Sequence, residues 1–278
     1  MKYFLSTLLF LFSFSLSAQT QHYEKAYSDL ENMLVGNTTL DFNKAVFIVE
    51  NAYFDNSLNY ADFDNKLNRI KEACDVMIAK KGLSGYKTAG NWAIFDWMSK
   101  PLPENNYRAC EYDFDDFLGK NNHQNIFVTR LLNEKTGNCL SMPLLYKCLA
   151  NKLGVEAKIA LAPNHMWIRH IDEQGNWANL ELTSGETYPD ELVRNEFDIP
   201  ALAIQRGTYM KGLSEQESVA FLLNQLAEGY EAKFDKLDDF TDNCANLSIM
   251  YYPTNAVAYM TKSNRVTYRL MELKKAKN

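Results

Sequence analysis

Between Thr136 and Thr183 the chain changes its hydrophobic period once, and no other feature constrains the fold as strongly. Residues 126–132 read as a helix that Thr136-Gly137-Asn138 interrupts. From Cys139 onward, Leu140, Leu144, Leu145, Leu149 and Leu153 recur at helical spacing until Gly154, a residue suited to a left-handed helix stop. Pro143 falls in the first turn, where a missing N–H does least harm. The pattern then becomes extended over residues 155–160 and, after Pro163-Asn164, over residues 165–171. Asp172-Glu173-Gln174-Gly175 reads as a hairpin turn into a third strand, residues 177–183. One helix followed by three strands predicts an α+β core, with the helix packed on a small antiparallel sheet.

Helical patterns flank this core. Tyr23, Tyr27, Leu30, Met33 and Leu34 lie on one face, as do Phe63, Leu67, Ile70, Cys74 and Met77, and the aromatic stripe reads as core packing. Residues 101–124 are polar and loop-like. Beyond the core, Ser214-Glu215-Gln216-Glu217 is a capping box opening another helical stretch. The expected organisation is a signal peptide over residues 1–18, an N-terminal helical region over 19–120, the core over 121–212 and a helical tail over 213–278. The first segment joins Lys2 to an apolar run ending at Ser17-Ala18, the order of a secretory signal, so the protein is expected to be exported (periplasmic or extracellular) after cleavage near Ala18. No later stretch is long and apolar enough to span a bilayer, which predicts no stable membrane insertion once the signal is removed.

Charge and cysteines narrow the chemistry. With 35 acidic against 29 basic residues the net charge is −6, which argues against nucleic-acid binding. Five cysteines leave at least one outside any intrachain disulfide. Cys139 stands at the start of a helix, beside unpaired N–H groups and the positive end of the dipole, a position that favours a nucleophilic thiolate and offers an oxyanion donor. His165 opens one strand and Glu181 lies in the next, so an antiparallel pairing lets Glu181 orient His165 while His165 takes the thiol proton. Asn179, on the same face as Glu181, is a second candidate orienter. Cys148 lies on the far side of the same helix and reads as core; the spacing of Cys74, Cys110, Cys148 and Cys244 selects no disulfide pairing. Asp113, Asp115 and Asp116 read as a solvated loop rather than a cation site. The chain has no paired CxxC, no HExxH and no phosphate-binding glycine loop, so no metal and no organic cofactor is expected.

Gly137-Asn138-Cys139, Asn164-His165-Met166-Trp167-Ile168 and Trp177-x-x-Leu180-Glu181-Leu182-Thr183 together resemble the transglutaminase-like superfamily, with its papain-like Cys-His-acid core. The closer resemblance is to the SirB1-like branch, over roughly residues 40–260. It rests on Gly137-Asn138-Cys139-Leu140-Ser141, Leu145-Tyr146, Leu153-Gly154 and Pro163-Asn164-His165-Met166-Trp167-Ile168-Arg169. Two positions depart from the pattern: Cys139 stands where many SirB1-like proteins carry proline, and Glu181 replaces the usual aspartate. Asn224-x-Leu226-Ala227-x-x-Tyr230 followed by Pro253-x-Asn255-Ala256-x-Ala258 resembles a degenerate tetratricopeptide repeat. The resemblance implies a cysteine hydrolase or acyltransferase that uses Cys139, His165 and Glu181 through a thioester, with a peptide or protein as substrate. The rival expectation is a non-catalytic module that binds a peptide or protein in the same cleft. The oligomeric state is left open by the sequence.

Overall fold

The computed structural model describes residues 20–275, so the signal-peptide segment 1–18 lies outside the described residues. Helices and small sheets are both present, and the chain divides into two compact units. One comprises residues 59–218 and holds the sheets; the other joins residues 20–58 to residues 219–275 and is helical.

The mixed unit begins with α3 (Tyr60–Lys81) and α4 (Ala89–Ser99); the helical unit contains α1 (residues 20–34) and α2 (Phe42–Tyr53). Asn59 caps α3 by accepting from the N–H groups of Ala61 and Asp62. A two-residue strand β1 (Glu111–Tyr112) pairs in parallel with β2 (Thr136–Gly137), Tyr112 opposite Gly137. Between them lies α5 (Val128–Glu134), closed by Lys135 in the left-handed region.

Next comes α6 (Ser141–Leu153), every residue of which from Ser141 to Ala150 is buried. Its apolar spacing predicts a one-sided helix, yet α3, α4 and α5 pack against it as well as β3 (Lys158–Ala162) and β4 (His165–Ile171). Burial on all sides requires its polar groups to find partners. Tyr146 Oη donates to the Asn91 carbonyl at 2.9 Å, and Lys147 Nζ reaches Asn151 and Glu215 at 2.8 Å each. Gly154 ends the helix at φ +67°, and the Val155 N–H closes the turn on Ala150 O.

The four-stranded antiparallel sheet runs β3-β4-β5-β6, with β5 at Trp177–Glu181 and β6 at Glu186–Tyr188. Ala160 pairs with Trp167 and Ala162 with His165, so these residues share a face. That face packs on Val193, Ile199 and Met210, from α7 (Asp190–Glu196) and the chain around α8 (Ala201–Gln205). Ile159, Leu161, Met166 and Ile168 are left to the face on which α6 packs.

One detail differs from expectation. The third of the predicted strands ends at Glu181, because Gly185 N–H closes a turn onto the Glu181 carbonyl and starts β6. All five cysteines are free thiols, with Cys74, Cys148 and Cys244 fully buried and Cys110 nearly so.

In the helical unit, α1 places Tyr23, fully buried, edge-on to Tyr230, Phe234 and Phe240 at centroid distances of 5.4, 5.6 and 6.0 Å. Tyr230 and Phe234 lie on α9 (Glu215–Phe234), whose first turn carries the capping box: Glu217 N–H donates to Ser214 Oγ and Ser214 N–H to Glu217 Oε2. Phe240 lies on α10 (Asp239–Tyr251), which pairs with α11 (Ala256–Lys275). Asn255 ties that pair together: its Nδ2 donates to Ser248 Oγ at 2.8 Å and its Oδ1 caps α11 at Val257 N–H.

Candidate active site

The turn before α6 is built around Asn138. Its buried Oδ1 accepts from the N–H groups of Leu140 and Ser141 at 3.0 and 2.9 Å, which is how an N-cap satisfies the first free donors of a helix. Met142 N–H already bonds the Asn138 carbonyl, so the first helical turn does begin at Cys139. Pro143 cannot donate to the Cys139 carbonyl, and the regular ladder is interrupted there; continuous helix therefore starts at Ser141 rather than at Cys139. Gly137 is required by space: a Cβ there would sit 2.7 Å from Ser141 Oγ and 3.1 Å from Leu131.

Cys139 is half-buried, its Sγ 4.0 Å from the Asn164 carbonyl oxygen. Asn164 occupies the left-handed region at φ +55°, in the turn from β3 to β4, and so delivers His165 beside the thiol. Among the described residues the Cys139 N–H donates to no acceptor.

His165 and Glu181 meet. His165 Nε2 lies 2.6 Å from Glu181 Oε2, in a setting where both side chains are largely buried. The β4–β5 register pairs Arg169 with Asn179 and Ile168 with Leu180, so Glu181 shares the His165 face but sits diagonally from it. A diagonal neighbour is reached by a long side chain, and the extra methylene of glutamate over aspartate supplies reach. Thr183 holds the other oxygen: its N–H and Oγ1 donate to Glu181 Oε1 at 3.0 and 2.7 Å.

The electrostatics follow from these bonds. Burial works to lower the His165 pKa, but the neighbouring Cys139 and the hydrogen-bonded, charged Glu181 outweigh it and raise it to about 9. Burial works to raise Glu181, and its bonds to His165 and Thr183 prevail and hold it below the usual carboxylate value. With Glu181 ionised, Nε2 carries a proton and donates to it. Phe197 stacks on the imidazole at 4.2 Å between centroids, 15° from parallel, and closes one face of the ring.

Asn179, the second candidate orienter, is committed elsewhere. It accepts from Trp167 Nε1 at 3.1 Å and donates to the Tyr188 carbonyl and to Asp190. His170 faces away from His165 and bonds the Ile171 carbonyl. The acidic residues of 113–116 are spent on backbone: Asp113 accepts from Asp115 and Asp116 N–H, and Asp116 from the N–H groups of Lys120, Asn121 and Asn122. Among the described residues no group of three His, Cys, Asp or Glu side chains is arranged to hold a metal.

Four residues with no assigned role in the sequence join the site: Asn138 as the cap, Asn164 as the turn, Thr183 behind Glu181 and Phe197 over His165. Asn138 carried a signal, since Asn before a helix is a preferred cap. Phe197 carried none, because it lies 32 residues from His165 in a segment without periodicity.

Residues 108–195 match the Transglutaminase-like superfamily. Comparison with curated proteins and with solved structures finds no match to this chain. The matched stretch contains Cys139, His165 and Glu181, and the transglutaminase-like domain is flanked by helical regions on both sides.

Proposed function

We propose that this chain is an exported cysteine hydrolase of the transglutaminase-like type, acting on amide, peptide or isopeptide bonds. The observation that carries the reading is the His165–Glu181 pair opening the strand beside Cys139, whose thiol lies 4.0 Å from the Asn164 carbonyl at the start of a helix. Cys139 gives its proton to His165 Nδ1, and the thiolate attacks the substrate carbonyl while the free Cys139 N–H faces the developing oxyanion. The C–N bond breaks as His165 passes its proton to the departing amine, leaving a thioester. Water then attacks that thioester, losing its proton to His165, and the acid and the thiol are released. Glu181 keeps the imidazole oriented throughout. Among the described residues no helix is long and apolar enough to cross a membrane, which is compatible with export. The SirB1-like branch, the tetratricopeptide-like character of the tail and the boundaries at residues 121 and 212 belong to the same proposal.

The test is alkylation by iodoacetamide at neutral pH, followed by hydrolysis of a peptide-amide library. Cys139 is expected to react at least about tenfold faster than an unfolded-chain thiol, as an activated thiolate does, and Cys139→Ala to abolish hydrolysis. Labelling at the unfolded-chain rate, with no hydrolysis lost in Cys139→Ala, would leave the non-catalytic binding module as the better reading.

A further inference from the structure

Exposed aromatic residues cluster beside Cys139 on a segment that cannot withdraw them. Phe114 is 80% exposed, Leu118 54% and Phe117 42%. Tyr112 links them to the site: its ring lies 4.9 Å from Phe114 and 6.3 Å from Phe117, and it pairs with Gly137, two residues before Cys139, across β1 and β2. The backbone beneath is pinned to the two residues that precede the nucleophile. Asp113 N–H donates to the Gly137 carbonyl at 2.8 Å, and Asn138 Nδ2 donates to the Phe117 carbonyl at 2.7 Å. Asp116 locks the remainder of the loop through its backbone acceptors, and Asp113 pairs with Arg130 at 3.2 Å.

Apolar rings held in water next to a reactive group are what a binding subsite requires and what a folding core avoids. The segment is continuous with the candidate active site, since the same Asn138 caps the nucleophile helix and anchors the loop. In the proposed reaction the leaving amine must face His165, which protonates it. The acyl portion of the substrate takes the flank of Cys139 bounded by Gly137 and Asn138, and there it meets Tyr112, Phe114 and Phe117.

We infer that residues 112–118 form the acyl-side subsite of this enzyme and select a large apolar or aromatic side chain on the residue bearing the scissile carbonyl. The inference rests on the reading of Cys139 as a nucleophile and adds the substrate class.

Three thiol reagents separate the two. Acetyl-phenylalanyl and acetyl-alanyl chloromethyl ketones each form a thioether with Cys139 and lose chloride, while iodoacetamide is too small to fill a side-chain subsite. Second-order inactivation rates, with the site of labelling read by mass spectrometry, are measured on the full chain and on Phe114→Ala/Phe117→Ala. The double variant keeps the Phe117 backbone carbonyl and removes only exposed rings, so its thermal melting is expected to match the wild type. The phenylalanyl reagent is expected to react at least about tenfold faster than the alanyl one, a modest part of what burying a phenyl ring provides. In the double variant that ratio is expected to fall below about threefold with the iodoacetamide rate unchanged. A wild-type ratio near one, or a ratio the double variant retains, overturns the subsite while leaving the nucleophile in place. Iodoacetamide labelling at the unfolded-thiol rate overturns the nucleophile and the subsite with it.

Discussion

In the helical unit, Tyr23 is surrounded edge-on by Tyr230, Phe234 and Phe240; around Cys139, by contrast, Asn138 is hydrogen-bonded to Ser141 and Glu181 is held between His165 and Thr183. The first arrangement is non-directional and gains from area removed from water. The second buries polar groups that are tolerable only because each has a partner, and it fixes positions to within a few tenths of an ångström. Apolar packing therefore holds the helices of one unit together, whereas the candidate site depends on geometry that packing alone does not provide.

Breaking each region separately sharpens the contrast. His165→Ala is expected to lower peptide-amide hydrolysis by at least about a thousandfold, as loss of a general base does, and to lower the melting temperature as well, because Glu181 is left buried without its partner. Tyr23→Ala is expected to cost about 3–5 kcal/mol in guanidinium unfolding, the range for emptying a buried aromatic site.

Glu181→Gln tests the polar region through pH. It removes one charge and weakens one bond among those that, together with Cys139, raise His165 to about 9, so the alkaline limb of hydrolysis is expected to move below 9. Stability follows the same linkage. A histidine raised in the folded state contributes fully below its unfolded value near 6.5, and the contribution is lost as pH rises through about 9. Glu181, lowered by the same pair, contributes above the usual carboxylate value and loses it as pH falls through its folded value. The difference in melting temperature between wild type and Glu181→Gln is thus expected to be greatest near pH 5–6.5 and to shrink toward 9; a flat difference would remove the ion pair from the account.

Smaller effects refine the comparison. Asn138→Ala removes the cap of α6 and the tether to Phe117, and is expected to cost about 1–2 kcal/mol. Tyr23→Phe points the other way: the Tyr23 hydroxyl is buried without a hydrogen-bond partner, and its removal is expected to stabilise by about 1 kcal/mol.

Much of the core was legible because it is local. The strand from His165 to Ile171 is legible at its observed ends because it is bounded by the Asn164 turn and by the Asp172 turn, where side chains bond nearby backbone. The capping box at Ser214 and the stop at Gly154 are equally local. The β1–β2 pair escaped notice because two residues show no period, and the order in residues 113–125 because its bonds run from side chains to backbone across stretches the alphabet reads only as polar. The burial of α6 on every side from Ser141 to Ala150 is not legible in its spacing: Tyr146 and Lys147 look like a solvent face until Asn91 and Glu215 arrive from distant segments to pair with them.

Short-range chemistry in the chain was enough to specify where helix gives way to strand. It also placed Cys139, Asn138, His165 and Glu181 at a helix start and on neighbouring strands, because caps, turns and periodicity act over a few residues. It took the packed fold to select Glu181 rather than Asn179 as the partner of His165, to lay Phe197 over the ring and to leave Phe114, Phe117 and Leu118 exposed on the loop tied to Gly137 and Asn138. Those outcomes depend on strand register and on contacts between residues far apart in the chain, where the balance of burial and hydrogen bonding is settled only once the whole unit has packed.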